Sequence, residues 1–294
     1  MWLAGCDSGF GHGLALRLSG LGMQVFAGVL DSEGDGAKKL KEWDPERIAV
    51  LQMDVTNPEH IAQVKETINK RLGQKGLWGL VNNAGLLLCP VDAELQSTSS
   101  LRRLMEVNFL SAVTVTQTFL PLIRKAKGRV VGVSSLAGKS NNIPGVVCFI
   151  HTFEKSLMLQ WGVHVAVIQP SGFKTSMELL IEPIMLILIL LLLLLLTLRP
   201  LVVILRESTW PSSNHQAGTS MGPLKQSLIL IMLLLATKQD MSPVLDCIEH
   251  ALLSTHPRPL YCPGKSAWLL PFLYTHLPTA TFDRFTVRVR NIQK

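Results

Sequence analysis

The sequence predicts an α/β fold, a single domain built on a doubly wound parallel sheet. Three observations carry that reading. Glycines cluster between a short apolar run and a helical pattern at the amino terminus. Short β-rich runs then alternate with segments of helical period as far as residue 169. Small polar residues stand at the ends of those runs. At 294 residues the chain can bury one large core or two modest ones.

Residues 1–13 read MWLAGCDSGFGHG, with Trp2, Leu3 and Ala4 as a short strand. Gly5, Gly9, Gly11 and Gly13 follow, and then the helical pattern LALRL at 14–18. Strand, glycine turn and helix in that order can seat a dinucleotide pyrophosphate. The backbone approaches closely where no Cβ intervenes, and the helix's free N–H groups and dipole favour negative charge. The glycine pattern by itself also fits a flexible turn, so the rest of the chain decides. Residues 23–30 (MQVFAGVL) form a second strand that ends at Asp31. An acidic group there accepts hydrogen bonds from an adenosine ribose, and a basic one accommodates a 2′-phosphate. Asp31 and Glu33 precede Lys38 and Lys39, which favours NAD over NADP; the alternative is that Asp31 merely starts the turn.

Residues 48–55 (IAVLQMDV) are a third strand reaching Asp54 and Val55. Thr56 or Asn57 is the N-cap of a helix that carries Ile61, Val64, Ile68 and Leu72 at helical spacing, with Pro58 in its first turn. Residues 77–81 are a fourth strand, delivering Asn82-Asn83-Ala84-Gly85 to the sheet edge where ligands bind. A long helix over 101–126 holds Asn108 among apolar neighbours, the setting of a hydrogen-bonded structural amide. Strands at 128–133 and 163–169 end in Ser134-Ser135 and Pro170-Ser171-Gly172-Phe173. Such strands, separated by helices, are the pattern of a Rossmann-type sheet.

Composition narrows the function. The net charge of +7 is spread thinly, and no basic run interleaved with aromatics points to nucleic acid. Five cysteines show no metal-ligand spacing, and their odd number fits reduced thiols better than a disulfide framework. With three residues between Met1 and Gly5, no signal peptide is expected ahead of the turn. So short a first strand suggests that the chain begins late or that an upstream segment is missing. Mean hydropathy is +0.31, high for a soluble chain, and the excess is local.

GCDSGFG, LQMDVT, NNAG, VNF and VGVSS, in this order and at these separations, resemble the short-chain dehydrogenase/reductase superfamily. FAGVL, GLWGLVNNAG, FLPLIRKAKGR and WGVHVAVIQPSGFKT resemble its branch acting on steroids and retinoids, over residues 1–177 and more weakly 239–286. The resemblance implies NAD as cofactor, with Gly5, Ser8, Gly9, Phe10 and Gly11 at the pyrophosphate and Asp54 and Val55 at the adenine. It places Asn83, Ala84 and Gly85 beneath the cofactor, and Pro170, Gly172 and Thr175 over the nicotinamide end. Asn108 would join the catalytic group through a structural water, and Ser135 would hold the substrate oxygen. The family's usual threonine before the first glycine is Ala4 here. Its acidic residue at the end of the second strand falls near Val29, which leaves the NAD preference to Asp31 and the resemblance. The implied substrate is a hydrophobic small molecule, a steroid or retinoid, and the implied setting is the endoplasmic reticulum membrane, with a homodimer as assembly.

One part of the family pattern is broken. Hydride removal from an alcohol needs a destination for the hydroxyl proton, and general acid–base help is worth about 10²–10⁴-fold. The family supplies a tyrosine about thirteen residues beyond the serine and a lysine one turn later. Cys148 and Thr152 occupy those registers, and the two tyrosines, Tyr261 and Tyr274, lie far downstream. Residues 147–161 (VCFIHTFEKSLMLQW) are shorter than the family's helix, as after a deletion that removed the catalytic turn. His151 and Lys155 are the nearby proton carriers, and a bland loop histidine is the alternative to a substitute base.

The organisation that follows is a nucleotide-binding domain over 1–178, an apolar segment over 179–238 and a completing piece over 239–294. Residues 183–198 (PIMLILILLLLLLLTL) carry no charge. As a helix they would span about 24 Å against a hydrocarbon core of about 30 Å. The segment reads as a marginal membrane anchor, as an apolar cap on a steroid-like pocket, or as sequence translated across an unspliced boundary. A cytoplasmic setting follows if it does not insert. Residues 240–254 read as a helix with an N-cap serine, residues 257–267 as the seventh-strand region, and Tyr261 as a structural residue. Residues 268–285 are aromatic and apolar, suited to a pocket wall, a dimer contact or a membrane surface.

Overall fold

Runs of aliphatic residues buried on both faces are what a parallel sheet between two helix layers requires, and the chain builds such a sheet. The computed structural model describes residues 1–87, 96–135, 161–173, 175 and 240–264. The strands are β1 (Trp2–Ala4), β2 (Val25–Val29), β3 (Ile48–Gln52), β4 (Gly79–Asn82), β5 (Arg129–Val133), β6 (His164–Ile168) and β7 (Leu260–Tyr261). The helices are α1 (Gly9–Gly20), α2 (Asp35–Trp43), α3 (Pro58–Leu72), α4 (Thr98–Met105), α5 (Ser111–Ala126) and α6 (Ser242–Leu253). Most strands are a residue or more shorter than the apolar runs that announce them, because pairing stops where the chain leaves the sheet for its loops.

The strand order is β3-β2-β1-β4-β5-β6-β7, and each neighbouring pair is parallel. Ala4 pairs with Gly28 and Asn82, Asn82 with Gly132, and Gly132 with Val167. The carboxyl ends therefore lie at one edge, and the order reverses between β1 and β4. That reversal opens a crevice for a ligand in sheets of this kind.

Each face of the sheet has its own core. Leu3, Ala27 and Val131 pack with Leu14 and Leu18 of α1 and with Val244, Ile248 and Leu252 of α6. Trp2, Phe26, Leu80 and Val130 pack with Ile61, Val64 and Ile68 of α3 and with Val115, Phe119 and Ile123 of α5. The Trp2 and Phe119 rings stack with centroids 5.5 Å apart.

Two local expectations are revised. The helix expected over 101–126 is two helices joined by a π-helical turn, Glu106–Leu110, that carries Asn108. The serine expected to cap α6 is its first helical residue, and the Asp240 carboxylate accepts the Ser242 N–H at 2.9 Å instead. Asn57 does cap α3, its Oδ1 accepting from the Glu59 and His60 amides ahead of which Pro58 needs no partner.

The piece beyond residue 239 is tied to the sheet by its carbonyls. Arg129 Nη1 donates to Ala251 O at 2.8 Å, and Trp78 Nε1 donates to Leu252 O at 3.0 Å. These bonds satisfy carbonyls of the last turn of α6 that have no partner within the helix. Arg17 of α1 bridges Asp246 and Glu249 on the same helix. The apolar segment 179–238, the shortened stretch 147–160 and the aromatic stretch 268–285 lie outside the described residues. Among the described residues no helix is long and apolar enough to cross a membrane.

Phe119 is fully buried against Trp2. Phe119→Ala is expected to lower unfolding stability by about 3–5 kcal/mol, measured by denaturant titration of the full chain, with exposed Lys75→Ala as the near-neutral control.

Candidate functional site

The glycine turn occupies the crevice between β1 and β4. Gly5 has φ of +76°, and a Cβ there would stand 2.7 Å from the Ala84 Cα. At Gly11 a Cβ would stand 2.1 Å from the Gly5 carbonyl oxygen. No other residue fits either position without moving backbone, so the first turn of α1 sits directly on the end of β1. Asn83 locks this arrangement, its Nδ2 donating to Gly5 O at 2.8 Å. Ser8 is extended and exposed, its side chain makes no cap hydrogen bond to α1, and no acidic residue stands in the helix's first turn. Such a terminus favours an anion through its dipole and through first-turn amides that have no acceptor within the helix.

The segment after β6 folds back over this turn. Phe173 is buried edge-on to Phe10, with centroids 5.9 Å apart. A Cβ on Gly9 would stand 3.4 Å from the Thr175 Cβ, which puts Thr175 against the glycines. Pro170 is buried, Gly172 is exposed, and Ser171 N donates to Pro263 O at 3.0 Å. The chain leaving β7 thus braces the chain leaving β6.

Three carboxylates ring the adjoining strand ends. Asp31, the sequence candidate for the ribose, accepts the Glu33 N–H with its Oδ1 at 2.9 Å and so shapes its own turn. Asp7 was missed by the sequence reading. Its carboxylate accepts the Leu30 N–H at 2.8 Å and the Asp31 N–H at 3.2 Å, immediately past the end of β2. Asp7 thus brings a carboxylate from within the glycine turn to the end of β2, across 23 residues of chain. The only sequence signal for it was an acid inside a glycine motif. Asp54 receives the hydroxyl and the amide of Thr56, which hold its carboxyl below the usual carboxylate range.

Val55 and Ala84 line one small hollow with Ala4, Asn82, Ser111, Ala112 and Val115. Asn108 accepts the Leu86 N–H at 2.7 Å and donates to Leu86 O at 2.8 Å. Its amide is therefore engaged with the loop that carries Asn83, Ala84 and Gly85, as a structural asparagine would be. Ser135 lies two residues past β5, beside Ser134, whose N–H donates to Ile168 O at 2.8 Å. Glycine turn, Asp54, Asn83, Ser135 and Thr175 all leave the same edge of the sheet.

Tyr261 faces other work. Its hydroxyl accepts the Arg258 N–H and pairs with His250 Nδ1, each at 2.8 Å, in a structural contact between β7 and α6. Cys6 is buried beneath the glycine turn, and burial pushes its thiol well above the usual range, so it stays protonated and unreactive. Cys148, His151, Thr152 and Lys155 lie outside the described residues. Among the described residues no three metal-ligating side chains gather.

Comparison with known proteins agrees with this geometry. The family model of short chain dehydrogenases matches residues 1–182. Mouse estradiol 17-beta-dehydrogenase 2 is 38% identical over 292 residues, covering 96% of this chain and 72% of the mouse protein. Rat retinol dehydrogenase 7 is 33% identical over 296 residues, covering 96% of this chain and 86% of its own length. In fold, a crystal structure of a short-chain dehydrogenase from Streptomyces avermitilis superposes with a TM-score of 0.69 at 20% identity, over 100% of this chain and 98% of that one. A glycine turn folded onto β1, an asparagine that pins it and a seven-stranded parallel sheet go with the sequence match: the chain belongs to the short-chain dehydrogenase family and is related to its steroid dehydrogenases.

Proposed function

We propose that the cradle at the sheet edge holds NAD, in a chain built to oxidise a secondary alcohol on a steroid or retinoid, with its proton transfer impaired. The observation that carries the cofactor reading is the close backbone packing that Gly5 and Gly11 permit, which seats the start of α1 on the end of β1 beside β4, with Asn83 bonded to Gly5 O. Gly5, Ser8, Gly9, Phe10 and Gly11 would take the pyrophosphate, and Asp54 and Val55 the adenine. Asn83, Ala84 and Gly85 would run beneath the cofactor, and Pro170, Gly172 and Thr175 would cover its nicotinamide end. NAD, when bound, supplies the acceptor for a hydride. The preference for NAD over NADP is supported by Asp7, whose carboxylate at the end of β2 would repel a 2′-phosphate.

Ser135 would hold the substrate oxygen, and Asn108 would keep the floor of the site in place through Leu86. The hydroxyl proton has no destination of the family's kind, because Cys148 and Thr152 stand in the registers of the tyrosine and lysine, and the Tyr-x-x-x-Lys spacing that the sequence does hold, Tyr261 to Lys265, starts in β7. Tyr261 cannot replace the tyrosine while its hydroxyl is shared between His250 and Arg258. The endoplasmic reticulum membrane is the setting that the relatives' type suggests, through the leucine-rich run, and a homodimer is the assembly. The missing pair also favours a second reading, a catalytically inactive protein that keeps the nucleotide site for binding or for pairing with intact relatives.

Turnover separates the two. With estradiol and NAD, the full chain is expected to form NADH at least about 100-fold more slowly than a relative with its tyrosine and lysine intact. Bound NAD, read by a rise in melting temperature, without any NADH selects the inactive protein, and turnover at an intact relative's rate overturns the impairment. Groups that act as a unit lose their effect together, so Ser135→Ala is expected to change residual turnover by less than about threefold; a far larger loss would mean that another proton carrier works with Ser135. For the cofactor, Asp7→Asn is expected to narrow the gap between NAD and NADP affinity by about two- to fivefold, the size of a half-exposed charge interaction. Titration of each nucleotide by tryptophan fluorescence checks this, and an unchanged ratio removes Asp7 from cofactor choice.

A further inference from the structure

The adenine side of the cradle depends on how the chain turns after β3. Met53 completes the ladder, its N–H donating to Val29 O at 2.7 Å. The next amide, that of Asp54, lies past the last rung and donates to Nδ1 of His60, 3.2 Å away in the first turn of α3. An imidazole nitrogen accepts only in the neutral ring, with the proton on Nε2. The other bonds of this corner are short-range. Thr56 N–H and hydroxyl donate to Asp54 Oδ1 at 2.8 and 2.7 Å, and Asn57 N–H donates to Asp54 O at 3.0 Å. These contacts shape the loop from within, whereas the His60 bond ties its backbone to a helix packed on the sheet through Ile61 and Val64. Val55, the following residue, reaches the hollow shared with Ala4 and Ala84 beneath the glycine turn.

We propose that His60 is a positioning residue of the nucleotide site, its Nδ1 holding the Asp54 amide so that Asp54 and Val55 present a fixed corner to the adenine. This rests on the reading of the cradle as an NAD site. A histidine of merely structural use would be replaceable by an apolar residue of similar size. A positioning one is replaceable by a residue with an acceptor at the same place, as the side-chain oxygen of asparagine provides.

The test compares wild type, His60→Leu and His60→Asn as full chains, by calorimetric titration with AMP and with NAD and by ligand-free melting. His60→Leu is expected to weaken both nucleotides by about five- to tenfold, the effect of one lost hydrogen bond, with ligand-free melting close to that of wild type. His60→Asn is expected to bind both within about twofold of wild type. Wild-type affinity in His60→Leu overturns the assignment, as does His60→Asn binding no better than His60→Leu, or a loss of affinity that simply follows a loss of melting temperature. Those outcomes leave the cofactor reading standing; a wild-type chain that takes neither AMP nor NAD overturns that reading and the role of His60 together.

Discussion

The hydrogen bond from the Asn83 side chain to the carbonyl of Gly5 is the contact on which the site depends. It joins the exits of β1 and β4, the two strands between which the order reverses. Without the Asn83 amide donating there, the half-buried Gly5 carbonyl packed against Gly11 would lose its side-chain partner, and an unpaired carbonyl is costly. The glycines and the asparagine therefore form one device. Absence of Cβ atoms brings the backbones together, and one side chain satisfies the polar group that this closeness would strand.

The same economy recurs around the rim. Asp7 leaves the glycine turn to take the amides at the end of β2, so the turn itself carries a negative charge at that strand end. Asn108 uses a π-helical bulge to reach Leu86, which fixes the loop after β4 from the opposite side. Phe173 and Thr175 return over Gly9 and Phe10. Each of these contacts joins segments far apart in the chain, which is why parallel register matters. A one-residue slip of β5 against β4 would carry Ser135 off the edge that Asn83 occupies.

The order of strands and helices was legible because buried parallel strands leave continuous apolar runs and the helices leave a 3.6-residue period. Gly5, Gly9, Gly11, Asp54, Asn83 and Ser135 were legible because they follow those runs. Asp7 was not, since its partners are amides of Leu30 and Asp31 that no local pattern connects to it. The break in the helix at Asn108 was hidden as well, because a π turn keeps the apolar character of the helices on either side. The serine at the start of α6 had the chemistry of a cap, but Asp240 stands two residues earlier and its carboxylate is the stronger acceptor.

By itself the sequence determined the fold class, the edge at which a cofactor would lie and the lack of a tyrosine and lysine at the family's register after Ser135, since these follow from periodicity, from residues at strand ends and from counting along the chain. Tertiary structure decided which polar groups meet there: Asp7 with the end of β2, Asn83 with Gly5, His60 with Asp54, and Tyr261 with His250 rather than with the site. The division has one physical cause. Burial pattern is a local property of the chain, whereas a hydrogen bond between distant segments exists only once the sheet's register has placed them within about 3 Å.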